Sequence, residues 1–491
     1  MRIRAVFALL GEIIILLGFA FVLPLIVALN DGTSLKPFLI PLLISVVLGL
    51  LLRMLDRNPE VGTKEAFLLV SLSWLAVAIM GALPYIISGK SSLANPVNAL
   101  FESMSGFTTT GATVLNNFSE PSQAILFWRQ LTQWLGGMGI VVLAIAILPR
   151  LSVGGAELMS LEAPGPQLQK LTPHIRQTAR IFWAIYIGLT LLETGILTLL
   201  HYIGLAPKMT AYMALVHAFT TMSTGGFSPL AASAGAFSPA TQWVIIVFMI
   251  LAGANFALFW YLLRGDFRIL RNEEFRAYMS VLVALSLLLV PMLNRQYGFS
   301  FLPAFRQALF QVTSIVTTTG YATMNFANWV LPAQAVLFFA MFIGGSSGST
   351  AGSIKVVRWI IGIKALKREL IQAFHPSSVK PIKLGGKPVD ERSVRGVLAF
   401  IILYFVIFIV SSLIVVINGT TNGTTLTLAD SMSAVAATLG NIGPGIGAVG
   451  PMANYLIFPP STRILMFFLM WLGRLEIVTA FVLFTRSYWR W

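Results

Sequence analysis

Cysteine is absent from the 491-residue chain, and Asp, Glu, Lys and Arg together fill only 10% of its positions. Without thiols there is neither a disulfide framework nor a thiolate metal site. With so few charges there is no solvated face of the kind a soluble domain carries. Histidine is scarce as well: His174, His201, His217 and His375 show neither metal-ligand nor triad spacing, which argues against an intramembrane enzyme. Acidic residues number 18 against 33 Lys and Arg, a formal charge of +15. That excess does not mark a nucleic-acid binder, because the basic residues sit in short loops between apolar stretches.

Apolar residues make up 57% of the chain and recur in runs long enough to cross lipid. The N-terminus opens like a signal peptide with Met1-Arg2-Ile3-Arg4, but the run to Asn30 is too long for a cleaved segment and reads as a retained first helix. With a cytosolic N-terminus, about 25 of the 33 Lys and Arg fall on the inner side, among them Arg53, Arg57, Lys64, Arg176, Arg180, Arg264, Arg268, Arg271 and the run from Lys364 to Arg395. Arg474 falls within a span.

The pattern predicts an all-α polytopic membrane protein with about ten membrane-crossing helices: an N-terminal two-helix hairpin and four parallel helix–pore helix–helix repeats around a central pore. The hairpin occupies residues 1–60, with spans near 5–29 and 36–54, and the repeats occupy 61–165, 166–272, 273–385 and 386–491. First helices are expected near 66–88, 181–203, 277–293 and 396–417, and second helices near 124–148, 241–263, 334–363 and 462–485. Between them lie segments of about 10–14 half-apolar residues, too short to span a bilayer. They end in FTTTGA at 107–112, TMSTGGF at 221–227, IVTTTGY at 315–321 and TLGNIGPG at 438–445.

Placing Gly111, Gly225, Gly320 and Gly443 in register puts Thr109, Ser223, Thr318 and Asn441 two residues before them, with Thr110, Thr224, Thr319 and Ile442 between. Non-helical backbone at membrane depth needs a shared wet centre. Extended carbonyls can cage a dehydrated potassium ion, glycine lets the strands approach, hydroxyls add oxygens at the inner end, and each short helix aims its negative C-terminal dipole at the axis. A single Thr-Thr-Gly reads as an ordinary turn; four in register read as a cation filter.

On these clusters and their flanking helices, residues 64–491 resemble the TrkH, TrkG and KtrB superfamily of potassium transporters, and the extra N-terminal hairpin resembles its TrkH branch. The fourth filter, Asn441-Ile442-Gly443-Pro444, departs from Thr-Thr-Gly. With Ala112, Gly226, Tyr321 and Pro444 following the four glycines, strict four-fold symmetry is not expected at the outer end. The resemblance implies potassium uptake across a bacterial inner membrane, with both termini cytosolic and no organic cofactor in this chain. It also implies a homodimer and a TrkA-like cytosolic regulatory subunit binding NAD or ATP/ADP. The basic segment from Lys355 to Arg395 serves either as a docking surface for that subunit or as a topology signal alone.

The third repeat's second helix is interrupted by Gly344, Gly345, Gly348 and Gly352 within a Gly/Ser-rich stretch followed by Lys355. It reads either as close helix packing or as a flexible plug inward of the filter. Arg474 reads either as half of an interhelical ion pair or as a charge facing the pore interior. The resemblance pairs that loop and an equivalent arginine as one gate. Gly136, Gly137 and Gly139 read as packing residues, and Glu102 and Asp430 chiefly as caps of pore-helix starts. A proton- or sodium-coupled symporter is the alternative; it would want midplane carboxylates, and Glu193 and Glu476 alone look embedded.

Overall fold

The computed structural model describes residues 1–139, 175–267, 271–377, 380–421, 423, 426–475 and 477–489. The first repeat's second helix beyond residue 139, the 165/166 boundary, His174, Arg268 and Glu476 lie outside them. Among the described residues the only strands are Lys383–Leu384 and Lys387–Pro388, an antiparallel hairpin whose turn residues Gly385 and Gly386 have φ of 55° and 83°.

Ile3–Ala20, continued after Phe21 by Val22–Asn30, packs against Lys36–Arg53. Small residues set the approach: a Cβ on Gly49 would lie 2.7 Å from the Gly11 carbonyl oxygen, and one on Gly11 would lie 2.5 Å from that of Gly49. The outer face stays apolar, with Leu16, Phe19, Leu43 and Val47 exposed, as lipid contact requires.

Four long helices then alternate with four short ones. Thr63–Ser88 begins where the Glu65 carboxylate accepts from the Gly62 N–H at 3.1 Å and stops at Gly89, which has φ 63°. Glu273–Tyr297 is capped by Asn272 and closed by Gly298 in the same left-handed region. Ile175–Tyr202 and Glu391–Thr421 are the other two. Each leads to a short, largely buried helix at the place expected for a pore helix: Pro96–Phe107, Ala211–Met222, Phe301–Val316 and Leu428–Leu439. At about 1.5 Å per residue, their 12, 12, 16 and 12 residues fall short of a hydrocarbon core of about 30 Å.

Six described helices are long and apolar enough to cross a membrane, and a bent pair makes seven. The difference from ten lies in the second helices: three of them are broken among the described residues, and the first extends beyond those residues. Pro239–Ala252 and Phe256–Leu263 meet at 98°, where Asn255 accepts from the Ala257 N–H and starts a new helix within the expected 241–263 span. Pro460–Arg474 stops before Val478–Val482, with Ile477 at φ 33°, inside the expected 462–485 span. Leu331–Ala340 ends ahead of the glycine stretch and resumes as Val356–Phe374. The described part of the first repeat's second helix, Gln123–Gly137, ends at the matching place.

Replacing Gly49 with Leu is expected to force the N-terminal hairpin apart and lower stability by about 1–3 kcal/mol, measured by thermal unfolding in detergent micelles against the parent.

Candidate functional site

Each pore helix hands its chain to the centre through one repeated turn. The N–H groups of Thr110 and Gly111 both donate to the Ser105 carbonyl, at 2.9 and 3.4 Å. Gly225 and Gly226 do the same to Thr220 (2.9 and 3.3 Å), Thr319 and Gly320 to Ser314 (2.8 and 3.2 Å), and Ile442 and Gly443 to Ala437 (2.8 and 3.4 Å). The residue before each pair is left-handed: Thr109, Thr224, Thr318 and Asn441 have φ between 52° and 56°. Such a backbone costs an L-residue about 1–3 kcal/mol and persists only where its surroundings impose it. Gly111, Gly226, Gly320 and Gly443 follow at φ of 82°, 72°, 79° and 100°.

This geometry corrects the second register by one residue. Gly226, not Gly225, matches Gly111, and Thr224, not Ser223, matches Thr109. Two adjacent glycines in Thr-Gly-Gly left the choice open in sequence, and hydroxyl matching favoured the wrong one. The residues following the glycines are therefore Ala112, Phe227, Tyr321 and Pro444.

The four turns close on one another. A Cβ on Gly111 would collide with the Gly225 carbonyl, one on Gly226 with that of Thr319, one on Gly320 with that of Ile442, and one on Gly443 would sit 2.7 Å from that of Thr110. Each ring glycine thus abuts the next turn, and the fourth returns to the first. Among the described residues no N–H or O–H donates to the carbonyls of Thr109, Thr110, Thr224, Thr318, Thr319, Asn441 or Ile442. Buried carbonyls rarely go unmatched, and a set of them around a closed ring is a donor set suited to a cation. The Thr110 and Thr319 hydroxyls pair with Thr108 and Thr317, both at 2.7 Å, and the Asn441 amide donates to Thr110 Oγ1 at 2.9 Å. These side chains brace the turns and leave their backbone carbonyls available. Outside the ring lies a cavity of about 130 Å³ whose lining includes all four ring glycines, Arg129 and Tyr455.

Three pore helices tether the chain just past the ring from the same position, three residues before the turn's acceptor. Glu102 accepts from the Thr113 hydroxyl (2.8 Å) and Val114 N–H (2.9 Å), His217 Nε2 lies 3.2 Å from Ser228 Oγ, and the Gln311 amide lies 3.1 Å from Thr323 Oγ1. Glu102 is not a cap: Asn95 takes that role, and Glu102 forms a fully buried ion pair with Arg129 at 2.7 Å. Arg129 also reaches the Ser228 carbonyl (3.4 Å) and lies over the Phe227 ring, tying the first and second turns together. Asp430 does cap, through its box with Thr427, and also accepts from the Ala448 N–H at 2.8 Å. Sequence reasoning passed over Arg129; a charge within an apolar span was the available signal.

The chain between Ala340 and Val356 packs against the ring through Thr318, at the pore-helix end of the turns. The Gly352 N–H donates to Thr318 Oγ1 (2.7 Å), and Thr350 Oγ1 donates to the carbonyls of Met222 (3.1 Å) and Ala252 (3.2 Å). Ser346 N–H reaches the Gly253 carbonyl (2.8 Å), Phe256 N–H reaches Gly348 (3.1 Å), and Gly344 N–H closes on Ile354 (2.8 Å). A Cβ on Gly345 would sit 2.7 Å from the Gly253 carbonyl oxygen. Lys355 Nζ donates to the Ala351 carbonyl. Arg474 donates to the Thr350 carbonyl (3.0 Å) and to those of Gly136 (2.8 Å) and Gly137 (3.2 Å) in the first repeat. Lys355, Arg358 and Arg474 all line a cavity of about 60 Å³ beside the loop. Adjacent carboxylates anchor this region: Glu274 accepts from the Ser347 N–H (2.6 Å), while Glu273 binds Lys364 and the Gly385 N–H (2.9 Å) of the β-hairpin.

The family model for TrkH, described as a cation transport protein, matches residues 35–295 and 298–490. The chain belongs to the TrkH family. It is 38% identical over 500 residues to the Trk system potassium uptake protein TrkH of Escherichia coli K12, covering all of both chains. It is 33% identical to the TrkG protein of that organism, over 88% of this chain and 86% of the relative. The crystal structure of the potassium transporter TrkH from Vibrio parahaemolyticus superimposes with a TM-score of 0.86 at 34% identity, covering both chains fully. A TrkH-family chain with several apolar membrane-length helices is a membrane transport protein and not an enzyme.

Replacing Glu102 with Ala leaves Arg129 buried without its ion-pair partner and is expected to cost about 3–5 kcal/mol, read as a large fall in the thermal transition; Glu102→Gln, which keeps an acceptor, is expected to cost less.

Proposed function

We propose that the chain takes up potassium across a bacterial inner membrane through a gated, channel-like pore. The observation that carries this reading is the closed cycle of four glycine turns with unmatched carbonyls. Thr109, Thr110 and Gly111, Thr224, Gly225 and Gly226, Thr318, Thr319 and Gly320, and Asn441, Ile442 and Gly443 form the selectivity filter, and Ser223 supports it from one residue below. The four repeats at 61–165, 166–272, 273–385 and 386–491 each contribute one turn, and the 1–60 hairpin packs outside them. Potassium is cargo, with filter carbonyls replacing its water.

The gate is the loop carrying Gly344, Gly345, Gly348 and Gly352, together with Lys355 and Arg474. Its bonds to Thr318, Met222 and Gly253 support a closed state. Opening requires both the loop and the Arg474 side chain to leave the path. A homodimer with a cytosolic nucleotide-binding subunit supplies regulation, acting on the basic Lys355 to Arg395 segment. Coupling to protons is the second reading, favoured by Glu193, whose buried carboxylate oxygens have no hydrogen-bond partner among the described residues.

In liposomes, potassium and rubidium influx is expected to exceed sodium and lithium influx, with Gly320→Ser weakening the preference; influx that requires a pH or sodium gradient would move the assignment to a symporter. Deleting Gly345 to Gly352 is expected to raise potassium flux roughly tenfold or more, and unchanged flux from the folded deletion would remove the loop from the gate.

A further inference from the structure

The four second helices share a short pattern where they end or break: Trp134-Leu135-Gly136-Gly137, Ile250-Leu251-Ala252-Gly253, Phe342-Ile343-Gly344-Gly345 and Trp471-Leu472-Gly473-Arg474. Immediately before it stand Gln133, Met249, Met341 and Met470, all fully buried. Three are apolar and one is an amide. Met249 belongs to the same buried cluster as Tyr321, the residue after the third ring glycine. Gln133 bonds directly to the turn of the second repeat. Its Nε2 donates to the Gly225 carbonyl at 2.7 Å, and its Oε1 accepts from the Phe227 N–H at 2.9 Å.

The amide therefore holds the backbone on both sides of Gly226. Of the four carbonyls that precede the ring glycines, among the described residues only that of Gly225 meets a side-chain donor. Gly225 carries no Cβ, and one there would lie within 2.8 Å of the Gln133 amide nitrogen, so the close approach needs this glycine. An Oε1···H–N and an Nε2–H···O bond made by one planar group restrict both inward motion and rotation of the intervening peptide units.

We infer that Gln133 is a specificity-determining positioning residue: it clamps the second turn so that the ring cannot contract around sodium. The inference rests on the filter reading above. Sodium is the smaller ion and draws oxygens inward, whereas potassium fits a ring held open. A Met at 133, the residue type of the other three repeats, fills the site and makes neither bond.

The test measures potassium and sodium flux into liposomes for the parent, Gly320→Ser, Gln133→Met and Gln133→Glu, with thermal unfolding of each protein in detergent. Gln133→Met is expected to lower the potassium-to-sodium flux ratio by about threefold or more through a rise in sodium flux. Should Gln133→Met fail to fold, Gln133→Glu decides: it keeps the shape and the acceptor for Phe227 but loses the donor to Gly225, and the ratio is expected to fall in the same direction. A selective parent with an unchanged ratio in the folded Gln133 variant overturns the clamp and leaves the filter standing, even if that variant melts lower. A parent whose flux is not selective and not altered by Gly320→Ser overturns both.

Discussion

Everything in this structure depends on bringing four stretches of non-helical backbone together in the middle of a membrane protein. Hydrocarbon does not tolerate open amides, so each turn must find partners for its N–H groups within the protein. The pore helices provide them: two successive N–H groups converge on one helical carbonyl at each of the four sites. That arrangement uses up donors and leaves acceptors. The result is a polar centre that is rich in oxygen and poor in N–H, and the membrane fold around it is a scaffold for keeping it so.

The supports are not four-fold. Glu102 with Arg129, His217 with Ser228 and Gln311 with Thr323 act from one helical position through three different chemistries, and the fourth repeat has Ala434 there. Instead the fourth turn is held from outside by the Tyr455 hydroxyl on the Gly443 carbonyl at 2.7 Å, and from inside by the Asn441 amide on Met470. Backbone geometry is common to all four turns because the ring demands it. The side chains that enforce it are free to differ.

The long helices, the short pore helices and the glycine clusters were legible because each rests on a local property: apolar length, a run too short to cross, a hydroxyl–glycine string. What stayed hidden depends on contacts distant in sequence. The Gly226 register is decided by which successive pair of N–H groups converges on the Thr220 carbonyl and which residues turn left-handed, and Ser223-Thr224-Gly225-Gly226 satisfies the residue pattern in two ways. The break at Gly253 is invisible to hydropathy, since Ala254 and Phe256 continue the apolar run; it exists because the loop's Ser346 takes the Gly253 carbonyl and its Gly348 takes the Phe256 N–H. Arg474 was legible as an interior charge, but among its partners are backbone carbonyls of other repeats, which no spacing rule encodes.

A ring assembled from one polypeptide also changes what a single substitution can do. In a pore made of four identical subunits, one codon change is felt four times and its free energies add around the axis. Here Gly111, Gly226, Gly320 and Gly443 are separate codons, so each replacement perturbs one quadrant. Small changes in ring geometry are therefore available in steps too fine for a homotetramer, and Asn441, Ile442 and Gln133 are three departures from four-fold repetition already present in this chain.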